Sequence, residues 1–323
     1  MVEQAGSGIR FDDSHWALIL GGSSGFGLAT AQKLAKHGMN LAIVHRDRRG
    51  AMKNIEPAFE ALRETGVGFI NFNVDALSDA GRTKVLDELT EKMAGGRIRM
   101  LMHSIAFGNL KLVAPISPTA AKASEMARTK LAEQLGIDVA KLTEAVAAVF
   151  PEAEYSDALA HLAEPPAFNS NLLLEDEDYA RTVHSMGTSM STWTQDCFKR
   201  ELFASDARIL GMTSEGNEIA WRGYAAVAAA KVAMESVSRS IAVEFAPYGI
   251  RSNIVQAGVT PTRALALIPG SAQLKAGARL RNPFGKLTTP ADVADVICLL
   301  CTDEAQWING TIVRADGGEH IGG

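Results

Sequence analysis

The sequence predicts an α/β fold, a doubly wound parallel sheet covered by helices, and three observations predict it. Short apolar runs alternate with helical patterns from Trp16 onward, and a glycine-rich turn joins the first such pair. The composition is also poor in aromatics, at 6%, with 29 glycines and much alanine and valine, which favours close helix-on-sheet packing over stacked sheets.

In chain order, Trp16–Leu20 reads as a buried strand, followed by the glycines and a helix to about Lys36. Leu41–Val44 is the second apolar run, and a helical pattern follows from Arg49 to Glu64. Gly68–Val74 and Arg99–His103 are the next strands, separated by a helix over Arg82–Met93. Later come a strand at Ala207–Met212, a long helix from Tyr224 to about Phe245 and a strand at Ser252–Gln256. A helix over Ala291–Cys301 precedes a last strand at Thr311–Arg314. Parallel strands need such crossovers, and right-handed crossovers wind them into a Rossmann-like sheet. We expect one such domain over residues 1–323.

Residues 112–172 interrupt the rhythm. Ala120–Leu135 and Val139–Phe150 carry helical spacing around Gly136-Ile137-Asp138, a C-cap followed by an N-cap, and Glu164-Pro165-Pro166 closes the segment. The stretch is a helical insertion, either a surface hairpin or a wall over the substrate entrance. The second reading draws on its place after the strand ending at His103, because ligands sit at strand carboxyl ends.

A net charge of −5 gives no basic surface for nucleic acid, and no apolar run is long enough to span a bilayer. The N-terminal residues lack a signal-peptide pattern, so we expect a cytoplasmic protein. Three cysteines and seven histidines show neither zinc-site spacing nor HExxH, so no metal is expected, and Cys298 and Cys301 read as core residues.

Two constellations carry chemistry. In Gly21-Gly22-Ser23-Ser24-Gly25-Phe26-Gly27, the glycines let the backbone approach a pyrophosphate, and the following helix offers amides and its positive end. At the end of the second strand, Arg46, with His45 beside it, can pair with a 2′-phosphate, which favours NADPH; Asp47 keeps NADH open. The second constellation is Tyr224 and Lys231, seven residues apart and so on one helix face. A tyrosine there can donate to an oxygen that becomes enolate-like, while the ammonium lowers the phenol pKa and holds the nicotinamide ribose.

Together these residues resemble the short-chain dehydrogenase/reductase superfamily, over nearly the whole chain except the insertion. Asn73-Val74, the segment Asn253–Thr262 and Asp316-Gly317-Gly318 add to the match. Within the superfamily the chain resembles enoyl-acyl-carrier-protein reductases. Their tyrosine and lysine have the wider spacing seen here, whereas most members place the two four apart, and position 228 is Ala. His103-Ser104-Ile105-Ala106-Phe107-Gly108 is similar to that family's HSIGFA segment, and His184-Ser185-Met186-Gly187 replaces the relay asparagine of the alcohol and ketone enzymes. The ordinary glycine loop, and Ser214 where the main enoyl reductases have a second tyrosine, resemble a minor NADPH-using group.

The resemblance implies reduction of trans-2-enoyl thioesters in fatty acid synthesis. Tyr224 and Lys231 are then catalytic, with Ser214 or Thr213 adding a hydrogen bond to the thioester oxygen. Ser104, Ile105, Ala106, Gly258, Thr260 and Thr262 join the glycine loop, Asn73 and Val74 around the cofactor, while Phe107 and Gly108 meet the substrate. Thr262–Asn282 becomes a mobile loop over the acyl chain. The implied partners are an acyl thioester, on carrier protein or coenzyme A, and further copies of the chain in a tetramer or dimer. The alternatives are a ketoacyl or hydroxyacyl oxidoreductase of the same superfamily and a non-catalytic nucleotide-binding regulator.

Overall fold

β1 (His15–Leu20) is buried from Trp16 to its end, because the strands and helices on either side leave neither face to water. The computed structural model describes residues 8–117, 122–150, 159 and 162–322. Seven strands lie in the order β3-β2-β1-β4-β5-β6-β7, and every pairing is parallel. The others are β2 (Asn40–His45), β3 (Phe69–Asn73), β4 (Arg97–His103), β5 (Phe203–Ser214), β6 (Arg251–Ala257) and β7 (Ile312–Ala315). Strand order reverses between β1 and β4, which opens a crevice at their carboxyl ends.

One core layer packs α1 (Gly25–Lys36), α2 (Arg49–Arg63) and α11 (Pro290–Leu300) on the sheet through Leu34, Phe59 and Ile297. Cys298 and Cys301 are buried in this layer as the sequence predicts, and burial pushes the Cys301 thiol up to about 12. The other layer holds α3 (Asp79–Lys92), α7 (Ser189–Lys199) and α8 (Ala225–Glu244) through Leu86, Trp193 and Met234.

Several boundaries differ from the sequence expectation for local reasons. α3 starts at Asp79 because the Ser78 hydroxyl accepts from Gly81 N at 3.0 Å, a cap weaker in the apolar pattern than the core residues behind it. β5 runs to Ser214, pairing with β6 as far as Ala257, so it carries Thr213 and Ser214 directly into the crevice. Before α7 lies α6 (Asp176–Val183), and the two join through a π-helical turn at His184–Thr188. Instead of a simple mobile loop, Thr262–Asn282 folds into α9 (Arg263–Ala266) and α10 (Ser271–Arg281), because Thr262 caps α9 and α10 finds an apolar partner.

That partner is the insertion. Its helices are α4 (Lys122–Leu135) and α5 (Val139–Val149), and Asp138 caps α5 by accepting from Ala140 N at 2.7 Å. The expected start of α4 at Ala120 lies outside the described residues. Ala132, Leu142, Val146, Phe150 and Ala163 form a separate small core with Ala276 of α10. A parallel bridge between Leu112 and Leu173 ties off the base of the insertion.

At the opposite end of the sheet, Asp206 gathers Arg208, Arg251 and Arg99, the last at 2.8 Å. The Arg208 and Arg99 side chains are almost fully buried, so deleting the carboxylate leaves charge inside the protein. Asp206→Ala is expected to cost about 2 kcal/mol. That is below the ~3–5 kcal/mol of a fully buried pair, because Asp206 is partly exposed and the arginines keep backbone carbonyls. Urea unfolding checks it, and an unchanged midpoint contradicts it.

Candidate active site

The crevice between the glycine turn and the start of α8 is a cavity of about 390 Å³, within the range of small-molecule sites. Its floor is the β1–α1 turn. Gly21 has φ +88°, and a Cβ there would stand 2.5 Å from the Ser104 carbonyl oxygen. Gly27 is equally constrained, since its Cβ would meet Gly21 O at 2.3 Å. These contacts seat α1 tightly against β1 and β4. Ser24 is the N-cap of α1 but makes no side-chain cap hydrogen bond, which leaves the first helical amides uncapped, and it lines the cavity with Ser23, Gly25 and Phe26. The cradle fits a nicotinamide dinucleotide, whose pyrophosphate would rest on the α1 N-terminus. Thr262 closes the other side. Its methyl group would lie 3.6 Å from a Cβ on Gly25, while its hydroxyl caps α9.

Ser104, Ile105 and Ala106 line the cavity after β4, and Gly258 and Thr260 line it after β6. The Thr260 hydroxyl, however, donates to Gly258 O at 2.9 Å, so it shapes the loop. Asn73 and Val74 sit beside the crevice, outside the cavity lining. The Asn73 amide brackets the backbone of Asp47, donating to its carbonyl at 3.0 Å and accepting from its N–H at 3.1 Å.

Three expectations need correction. His45 cannot help hold a 2′-phosphate, because it is the last residue of β2 and points inward. Its ring meets Phe59 edge-on at 5.4 Å, its Nδ1 bonds Asp47 at 3.0 Å, and burial keeps its pKa low. Phe107 does not line the catalytic cavity. Its ring lies under the Arg46 guanidinium, 4.7 Å from the centroid, at the adenosine end of the crevice. Gly108 does line it, packed against Thr182, Met186 and Val227. The third correction concerns Thr213, whose hydroxyl donates inward to Glu235 at 2.6 Å; the outward hydroxyl is that of Ser214.

Tyr224 stands at the N-cap of α8 with its phenol 3.3 Å from the Ser214 hydroxyl. Burial raises its pKa, against the expected lowering, so the phenol is a neutral donor. Lys231 does not offset this. Its ammonium donates to the Met212 carbonyl at 2.7 Å, and burial depresses its pKa to about 8, with Glu235 opposing. Both side chains reach the same cavity.

Sequence reasoning missed four neighbours. Glu235, one helical turn beyond Lys231, holds Thr213 and Asn217, and its i+4 spacing was a visible signal. Trp221, its ring packed at a tilt against Tyr224 with centroids 5.3 Å apart, had none. Arg281 of α10 pairs with Glu215 at 2.6 Å and reaches Glu319 at 3.5 Å, tethering α10 to the cavity wall. Burial lifts Glu319 to about 7 even though Val259 N donates to it.

Comparison with known proteins assigns the chain to one lineage. The family described as enoyl-(acyl carrier protein) reductase matches residues 21–139 and 120–320. The chain belongs to that family. It is thereby a short-chain dehydrogenase/reductase and an oxidoreductase by descent. The enoyl-[acyl-carrier-protein] reductase [NADH] of Aquifex aeolicus is 33% identical over 150 residues, 45% of this chain and 56% of that protein. The match thus spans little more than half of that relative's length. A cis-4-hydroxycyclohexanecarboxylate dehydrogenase of Sinomonas cyclohexanicum is 29% identical over 180 residues, 56% of this chain and 71% of the other. Among solved structures, a short chain dehydrogenase from Burkholderia cenocepacia in complex with NADP superimposes with a TM-score of 0.65. It is 19% identical, with 97% of this chain and 99% of that one covered, a likeness of fold.

Proposed function

We propose that the chain catalyses NADPH-dependent reduction of the carbon–carbon double bond of trans-2-enoyl thioesters, as an enoyl-acyl-carrier-protein reductase of fatty acid synthesis. One observation carries the reading. The helix segment at His184–Thr188 offers the cavity the thioether of Met186, which moves no proton, where alcohol and ketone enzymes place a relay asparagine. No larger side chain fits at position 187, since a Cβ on Gly187 would lie 2.7 Å from Ala230 O. Without that relay, the Tyr224–Ser214 pair is best suited to holding a developing oxyanion.

The bound nicotinamide would supply a hydride to the substrate β-carbon. Tyr224 donates its hydroxyl to the thioester oxygen, where negative charge accumulates, and Ser214 orients the phenol. Lys231 is anchored by the Met212 carbonyl, and its remaining protons would be available to hold the cofactor ribose. The Met186, Val227 and Ile268 side chains keep water from the reacting carbons.

Incubation with NADPH and crotonyl or acetoacetyl thioesters tests the reading. Oxidation of NADPH by the crotonyl substrate is expected, and faster oxidation by the ketone would replace it with the second reading, an alcohol–ketone oxidoreductase. The Sinomonas relative, a dehydrogenase by name, favours that second reading.

The NADPH preference rests on Arg46, half exposed just past the end of β2 and tethered to Asp75 at 2.8 Å. Arg46→Ala is expected to raise the KM for NADPH about tenfold or more and leave NADH kinetics unchanged, in keeping with a charge-assisted contact. Equal effects on both cofactors would remove the assignment. The same proposal includes a cytoplasmic location and a homotetramer or dimer, for which α8 leaves Val232 and Val243 exposed. No helix among the described residues is long and apolar enough to cross a membrane.

A further inference from the structure

The insertion builds a second cavity, of about 440 Å³, beside the catalytic one. Ile116, Pro165, Pro166 and Phe168 form its outer wall, and Ile268 and Leu274 face them from the α9–α10 segment. Trp221 and Ile268 line both cavities, so the two adjoin along a shared wall. The Trp221 ring also packs at a tilt against Tyr224, so the wall shared by the two chambers is an apolar side chain in contact with the reactive phenol's ring.

The outer wall is fastened rather than draped. Gln273 donates to Glu164 O at 3.0 Å, and Pro166 closes on Gly270, where a Cβ would lie 2.7 Å from its ring. The small core shared with Ala276 secures the same contact from behind, and Ile116 N donates to Ser170 Oγ at 3.3 Å. Polar side chains stand only at the margin, as Gln273 and the exposed Arg222.

We infer that this chamber receives the distal hydrocarbon of the acyl chain, so that the insertion makes the enzyme selective for long acyl thioesters. The inference rests on the thioester reading above for its substrate class. The lining selects the hydrocarbon end of such a molecule. The carrier arm bears amides that would lose hydrogen bonds against prolines and Phe168, whereas each buried methylene favours binding roughly three- to fourfold.

The test uses the full-length enzyme and 12-bromododecanoyl-CoA, a saturated ligand whose terminal bromine quenches a nearby indole. Quenching is expected in the wild type and its loss in Trp221→Phe; no quenching, or quenching that survives this change, overturns the inference. Ala220, next to Trp221, also lines the chamber; Ala220→Phe and Ile116→Phe, which narrow it, are expected to raise the KM for dodec-2-enoyl-CoA at least tenfold. Crotonyl-CoA kinetics should stay unchanged, which also shows that the variants fold. Equal losses for both chain lengths, or none, count against the chamber. If neither enoyl substrate is reduced while Trp221 is still quenched, the reaction assignment fails and the acyl site stands.

Discussion

Replacing Tyr224 by phenylalanine is expected to lower kcat for crotonyl-thioester reduction about 10³-fold, the scale of removing one oxyanion donor. The loss should fall on kcat more than on KM, because the phenol meets its strongest acceptor only when charge has moved to the thioester oxygen. The fold should survive. The ring remains packed on Trp221 and against Gly216, and only the 3.3 Å bond to Ser214 disappears. Ser214→Ala keeps the phenol, so a smaller loss is expected, about tenfold. Single-turnover kinetics under saturating NADPH separate the two variants. An unchanged rate in Tyr224→Phe would end the catalytic assignment.

Lys231→Met should cost about 10²-fold or more in kcat/KM, and the wild-type pH profile should show why. Burial depresses the lysine to about 8, whereas burial raises Tyr224 above its ordinary value. The ammonium is therefore present below about pH 8 and is lost as pH rises through that value. Activity should fall along an alkaline limb near pH 8, well before the phenol ionises. Glu235 raises the lysine pKa, so Glu235→Gln is expected to move that limb to lower pH. A limb that stays in place in Glu235→Gln, or persists in Lys231→Met, assigns it to another group.

Much of the site was legible because it rests on local rules. The glycine turn, the strand-to-helix alternation and the offset of Tyr224 from Lys231 follow from backbone sterics and helix period, which nearby residues set. His45 and Phe107 were misplaced for a common reason. Where a side chain at a strand end or in the loop after a strand turns depends on what packs against it, here Phe59 for His45 and Arg46 for Phe107. Thr213 and Ser214 are adjacent hydroxyls on one strand, and alternation sends them to opposite faces. Only the Glu235 acceptor shows which one is buried.

The insertion marks the same boundary on a larger scale. Helical spacing and caps were enough to mark two helices in this stretch, which the structure places at Lys122–Leu135 and Val139–Val149 with Gly136 and Asp138 between them. Its destination was not legible, because packing between segments far apart in sequence leaves no periodic trace in either one. Local pattern was sufficient for the parallel sheet, and it named in advance the glycine turn, Tyr224 and Lys231, which the fold brings to one cavity. Only packing across the whole chain brings the insertion onto α10, sets a second cavity beside the first at Trp221, and buries Lys231 deeply enough to lower its pKa to about 8. Burial and long-range contact set those properties, and both depend on where the whole chain places its apolar surface.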